Sequence, residues 1–118
     1  MKAVNRTKQV ILAEKVDSVT GIRRFIGLIG RKHLASGDGL LLMPCQGVHT
    51  YFMRFYIDAV YLDENGRVVR VVNDMPPYTL GPVLKRARAV LELAAGTCRK
   101  TGTEEGDLVE FLQEGDEK

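Results

Sequence analysis

Most of the side chains that could do chemistry fall in one stretch, Pro44 to Asp63, which holds Cys45, His49, Thr50, Arg54 and Asp58. In Ile57-Asp-Ala-Val-Tyr-Leu62, strand alternation puts Asp58, Val60 and Leu62 on one face and Ile57, Ala59 and Tyr61 on the other. Both faces are mostly apolar, so this strand is expected to be buried on both sides. Asp58 then sits where water is scarce. A buried carboxylate needs hydrogen-bond donors or a cation, because an unpaired one is costly. Arg54, His49 and the backbone of a proline-rich loop further on are its candidate partners. Two roles follow for Asp58. It is either a pin that holds a loop through backbone hydrogen bonds, or an acid, base or ligand contact.

Cys45 and His49 lie four apart, and a Cys-His pair can activate a thiolate. The same pair could give a metal two ligands. Zinc wants three or four, and the remaining residues of these types, His33 and Cys98, are far away in sequence, so no metal site is expected. The plainer reading makes Cys45 a small buried apolar residue and His49 and Thr50 half-buried strand residues with satisfied side chains. No Walker-type loop, dinucleotide fingerprint, Gly-x-Ser-x-Gly elbow or His-Glu-x-x-His helix is present, so no cofactor is expected. Gly27 and Gly30 sit inside a helix pattern and form no phosphate cradle. Lys85-Arg-Ala-Arg88 reads as a solvated strand entry or, alternatively, as a modest, salt-sensitive attraction for phosphates.

The elements that must position these residues are short. Lys8 to Val16, Leu40 to Met43, Val48 to Met53, Ile57 to Asp63, Arg67 to Val72, Ala89 to Leu93 and a segment from Gly106-Asp107 through Leu112 read as strands. Ser36-Gly-Asp-Gly39 reads as a turn. Asn65-Gly66 marks a hairpin turn, since such turns need positive backbone angles. Ser18 or Thr20 is placed to cap a helix running to about Gly30, with Ile22, Phe25, Ile26 and Ile29 on its apolar face. Ala95 to Gly102 suits a helical turn. Asn73 to Pro82 reads as a semi-rigid loop holding Pro76, Pro77 and Pro82. The expected fold is α+β and strand-dominated. It is a compact, curled, mostly antiparallel sheet, a small barrel being one form of it, with one main helix and a short helical turn. A single domain over 1–118 is expected, with its core at about 8–112 and an acidic tail at 113–118 that frays.

Composition narrows the function classes. The 118 residues carry a net charge of +2, and aromatic residues make up 7%, too few for a dense base-stacking surface. Charge is uneven along the chain. Residues 1–35 hold eight Lys and Arg against two acids, while residues 102–118 hold seven acids against one Lys. Either the two ends lie near each other and attract, or the basic third forms a patch for an anionic partner. No apolar run is long enough to span a membrane and no signal peptide is seen, so a cytoplasmic protein is expected. Two cysteines make no disulfide framework, and nothing requires Cys45 and Cys98 to pair.

Several segments together resemble the domain-of-unknown-function 192 family. They are Gly27-Leu-Ile-Gly-Arg31, Gly39-Leu-Leu-Leu42, Val48-His-Thr-Tyr-Phe-Met-Arg-Phe55, Ile57-Asp-Ala-Val-Tyr-Leu-Asp63, Gly66-Arg-Val-Val69, Val90-Leu-Glu-Leu-Ala-Ala-Gly96 and Gly106-Asp107. The resemblance covers about residues 21–112. It implies a mixed, strand-dominated fold and places His49, Thr50, Phe52, Met53, Arg54 and Asp58 in the family's most characteristic segment. Similar proteins carry Pro where this chain has Tyr56, which leaves the strand entry less fixed. Many are exported. The resemblance brings no activity.

The leading functional reading is a binding or accessory module for a small ligand or protein partner. Its contact residues are expected at His49, Thr50, Arg54 and Asp58, between their segment and the Pro76–Pro82 loop. The rivals are a small enzyme using Asp58 with His49 and Arg54, or Cys45 as nucleophile, and a nucleic-acid binder using the basic third. Nucleic acid is the least favoured partner. Oligomeric state is not legible.

Overall fold

Ile57–Leu62 is buried along its whole length, and the other elements are arranged about this strand. The computed structural model describes residues 1–20, 28–29 and 31–113. In chain order the elements are β1 (Lys2–Asn5), β2 (Val10–Ala13), β3 (Lys15–Val19), β4 (Asp38–Leu42), β5 (Ile57–Leu62), β6 (Val68–Met75), β7 (Ala89–Ala94), α1 (Thr97–Thr101) and β8 (Val109–Leu112). They form two sheets, one of three strands in the order β2-β1-β8 and one of five in the order β3-β4-β7-β5-β6. All pairings are antiparallel except β3 with β4. Parallel neighbours cannot be joined by a tight turn, and β3 ends at Val19 well before β4 begins at Asp38.

The two faces of the five-stranded sheet carry separate apolar clusters. One holds Val60, Leu62, Leu91 and Leu93 with Ala3, Leu12 and Ala13 of the small sheet and Cys98 of α1. The other holds Leu40, Leu42, Ile57, Ala59, Tyr61 and Val90 under Leu28, Leu34, Val48, Met53 and Ala87. Among the described residues, irregular chain therefore forms the cover of this second face.

Several expectations are corrected. The described strands form two open sheets and no closed barrel. The single strand expected over Lys8–Val16 is two, broken by a bend at Glu14, and β1 was not foreseen. Val48–Met53 is no strand. Only His49 makes an isolated bridge, to Leu80, because Phe52 adopts a left-handed backbone (φ 67) and the Thr50 side chain bonds the neighbouring loop. β4 begins two residues early, at Asp38. β6 runs on to Met75, so the proline loop starts at Pro76, and the last strand starts at Val109. The hairpin stands where expected, with positive φ at Gly66 (84°) but not at Asn65. Asp63 Oδ1 accepts the N–H groups of Asn65 (2.8 Å) and Arg67 (2.9 Å) and shapes the turn instead. The main helix falls on residues 21–27 and 30, outside the described residues; of its two expected caps, Ser18 lies within β3 and Thr20 directly follows it. Residues 114–118 of the tail are also outside them.

Candidate functional site

Thr50 is the joint between the two irregular segments over the second face. It is fully buried. Its hydroxyl donates to Pro76 O at 2.5 Å and accepts the N–H of Thr79 at 2.8 Å. Its backbone adds Thr50 N to Thr79 O and Tyr78 N to Thr50 O, each 2.8 Å. One residue thus satisfies four polar groups of the proline loop, and no ladder is needed to hold the segments together. Close backbone approach completes the joint. A Cβ on Gly81 would lie 2.9 Å from both Tyr61 Oη and Val48 O. Tyr61 donates to Pro82 O at 2.8 Å, and burial pushes its phenol up to about 12, so it remains a donor.

This joint presents aromatic side chains to solvent. Phe52 and Tyr78, one from each segment, meet edge to face at 5.8 Å. They are 68% and 62% exposed, and both have left-handed backbone, φ 67 and φ 58. For a bulky residue that conformation costs ~1 kcal/mol. His49 stacks on Tyr51 at 5.3 Å, and its Nδ1 accepts the Tyr51 N–H at 3.2 Å. Neutral His49 therefore carries its proton on Nε2. Tyr56, Leu80 and Val83 are exposed in the same two segments. Arg54 is exposed too, and no described carboxylate lies within ion-pair distance of it.

Asp58 stands apart from these residues. Its side chain shares the face of Val60 and Leu62, toward the small sheet and α1, and not the face covered by His49 and Thr50. The β5–β6 register shifts between Ile57 and Ala59, which deprives the Asp74 N–H of a ladder acceptor. Asp58 Oδ1 accepts that N–H at 2.9 Å, and Oδ2 accepts the N–H of Cys98 at 2.9 Å. Gly96 precedes α1 and has no side chain to cap it, so Asp58 supplies an acceptor to the first turn from 40 residues away. Neither Arg54 nor His49 is its partner.

Both cysteines are thiols. Half-buried Cys45 donates from Sγ to Gly47 O at 3.1 Å. Burial, with Asp58 beside it, pushes the Cys98 thiol up to about 12, so it is a poor nucleophile. Among the described residues no three His, Cys, Asp or Glu gather as metal ligands.

One buried acid escaped the sequence reading. Glu92, in the middle of β7, is 2% exposed and lies between Leu40 of β4 and Ala59 of β5. Its Oε1 has no hydrogen-bond partner among the described residues. Burial pushes its carboxyl up to about 8, against the pull of Arg31. The available signal was a lone acid inside the apolar run Ala89-Val-Leu-Glu-Leu-Ala94.

A family profile, DUF192, described as "Uncharacterized ACR", matches residues 3–111. No curated protein matches the sequence significantly. Two solved structures share the fold. A protein of unknown function from Novosphingobium aromaticivorans DSM 12444 has a TM-score of 0.81 at 21% identity, over 94% of this chain and 84% of that one. A protein from Sinorhizobium meliloti 1021, described as a "putative transcription regulator", has a TM-score of 0.76 at 19% identity, over 92% and 89%. At such identities the likeness is one of fold alone.

Proposed function

We propose that this chain, which belongs to the uncharacterised DUF192 family, is a binding or accessory module whose contact surface is the joined pair of segments at His49–Tyr56 and Pro76–Val83. The observation that carries this reading is the Phe52–Tyr78 pair. Two bulky side chains in mutual contact are both exposed, and both hold a strained backbone. A chain selected for stability alone would relieve that strain or bury those rings. A rigid aromatic platform suits a small ligand or a segment of a protein partner, because aromatic side chains give large contact area at low entropic cost. His49 Nε2–H and Arg54 would supply the polar contacts at its rim. Asp58 serves this surface only indirectly, by fixing the end of β6 from which the proline loop departs. A cytoplasmic location goes with the reading, where Cys45 and Cys98 stay reduced.

The test is a thermal-shift screen of metabolites, metals, short peptides and oligonucleotides on the wild-type chain and on the Phe52→Ser/Tyr78→Ser double variant. A ligand at about 100 times its dissociation constant adds roughly 2.7 kcal/mol, several degrees for a chain of this length. Ligands that stabilise the wild type and not the equally folded variant are expected. A ligand that stabilises both equally would put the binding surface elsewhere.

A further inference from the structure

A cleft separate from the aromatic platform lies beside the turn after the proline loop. It encloses about 340 Å3 and is lined by Val69, Arg70, Leu84, Lys85, Arg86 and Glu105. The Lys85-Arg86 wall is anchored by its backbone. Leu84 N donates to Gln46 O, Ala87 N to Leu84 O and Arg88 N to Leu62 O, at 2.9, 3.1 and 2.7 Å. Gln46 Nε2 donates to Lys85 O at 3.0 Å. Ala87 is fully buried, while Lys85 and Arg86, in the turn before it, are exposed. No described carboxylate lies within ion-pair distance of Lys85 or Arg86. Arg70 has one, Glu105, at 3.7 Å, and both of those side chains are largely exposed.

We propose that this cleft binds a small organic anion, with a phosphate or carboxylate head held by Arg70, Lys85 and Arg86 and an apolar body against Val69 and Leu84. Its volume is that of a small-molecule site and exceeds what a bare inorganic ion fills. Arginine forks match such head groups. Glu105 occupies Arg70 in the absence of ligand and is displaced by the incoming anion. A nucleic-acid strand is the less favoured occupant because, at the basic N-terminal end, Lys2, Arg6 and Lys8 pair with Glu14, Glu110 and Asp107.

The probe is phenyl phosphate, titrated into the isotopically labelled chain and followed by backbone amide resonances, with inorganic phosphate and benzyl alcohol as its separate halves. Shifts are expected at Val69, Arg70, Leu84, Lys85 and Arg86, at lower concentration than either half requires. Arg70→Gln should weaken phenyl phosphate about tenfold, the worth of a charge-assisted contact. Glu105→Gln should tighten it, and this opposite sign separates binding from any loss of folding. The proposal is overturned by an absence of shifts at about 10 mM, a concentration at which even very weak sites fill. It is equally overturned if inorganic phosphate matches phenyl phosphate, if Glu105→Gln has no effect, or if a single-stranded oligonucleotide shifts the cleft at lower concentration than phenyl phosphate.

Discussion

Glu92 gives the stability of this protein a pH dependence that one substitution can remove. The sheet gives its carboxyl nothing to bond at Oε1 among the described residues, so the protonated form is favoured in the fold and its ionisation is displaced up to about 8. The unfolded chain gives up that proton near its ordinary value of 4.5. Between these values the folded state holds more protons than the unfolded state, so stability falls as pH rises. The slope reaches about 1.4 kcal/mol per pH unit and levels off above the folded value. Glu92→Gln removes the titrating group. Its absolute stability depends on what the new amide finds to bond, but its slope does not. Urea unfolding at about pH 5 and about pH 8 should show the wild type losing stability relative to the variant as pH rises. Parallel profiles would mean that Glu92 is ionised in the fold and has a partner.

At the scale of elements, the β5–β6 hairpin couples local turn chemistry to long-range assembly. Gly66 has φ +84, and a Cβ there would stand 2.6 Å from Val109 O. The turn also joins β8, through Val109 N to Gly66 O at 2.9 Å. Gly66→Ala therefore meets two penalties, the left-handed backbone and a clash with a main-chain oxygen that no side-chain rotation relieves. A loss of ~2 kcal/mol or more is expected in chemical denaturation, beyond the ~1 kcal/mol of a left-handed alanine alone. A loss of only the smaller amount would mean that β8 moves away at little cost. The hairpin was legible in the sequence because Asn65-Gly66 and the flanking alternation are local signals. Its docking on Val109 was not, since that depends on chain 43 residues away. Val48–Met53 was misread for the opposite reason. It alternates well enough for a strand, yet Thr50 spends its hydrogen bonds on the Pro76–Thr79 backbone. The chemistry-bearing stretch was found by residue type alone. The separation of Asp58 from His49 needed the pairing of β5 with β7 and the β6 bulge, and neither leaves a mark in composition.

For the whole molecule, pairing of the two chain ends brings part of their opposite charge together. β1 runs antiparallel to β8, with Arg6 on Glu110 at 3.1 Å and Lys8 on both Glu104 (3.2 Å) and Asp107 (2.9 Å). The exposed pairs contribute little and are screened by salt. The closure rests on buried groups. Asn5, fully buried, donates through Nδ2 to Thr103 Oγ1 at 3.0 Å and to Asp107 Oδ2 at 2.9 Å. Burial pushes the Asp107 carboxyl up, but hydrogen bonds from Asn5, Lys8 and the Glu104 N–H outweigh it and hold the carboxyl below its ordinary 3.8. Being depressed in the fold, Asp107 stabilises fully above that ordinary value, and the contribution is lost as pH falls through the lowered one. Asp107→Ala leaves the Asn5 amide buried with a donor unmet, at a cost of about 2 kcal/mol. Raising salt to about 1 M, where the Debye length shrinks to about 3 Å, should cost the wild type much less. Hydrogen exchange locates the damage. The amides of Lys2–Asn5 and Val109–Leu112 should lose protection in Asp107→Ala while those of β5 and β7 keep theirs, because both are interior strands paired on each side within the five-stranded sheet. Uniform loss across both sheets would show instead that the small sheet is needed for the large one to stand.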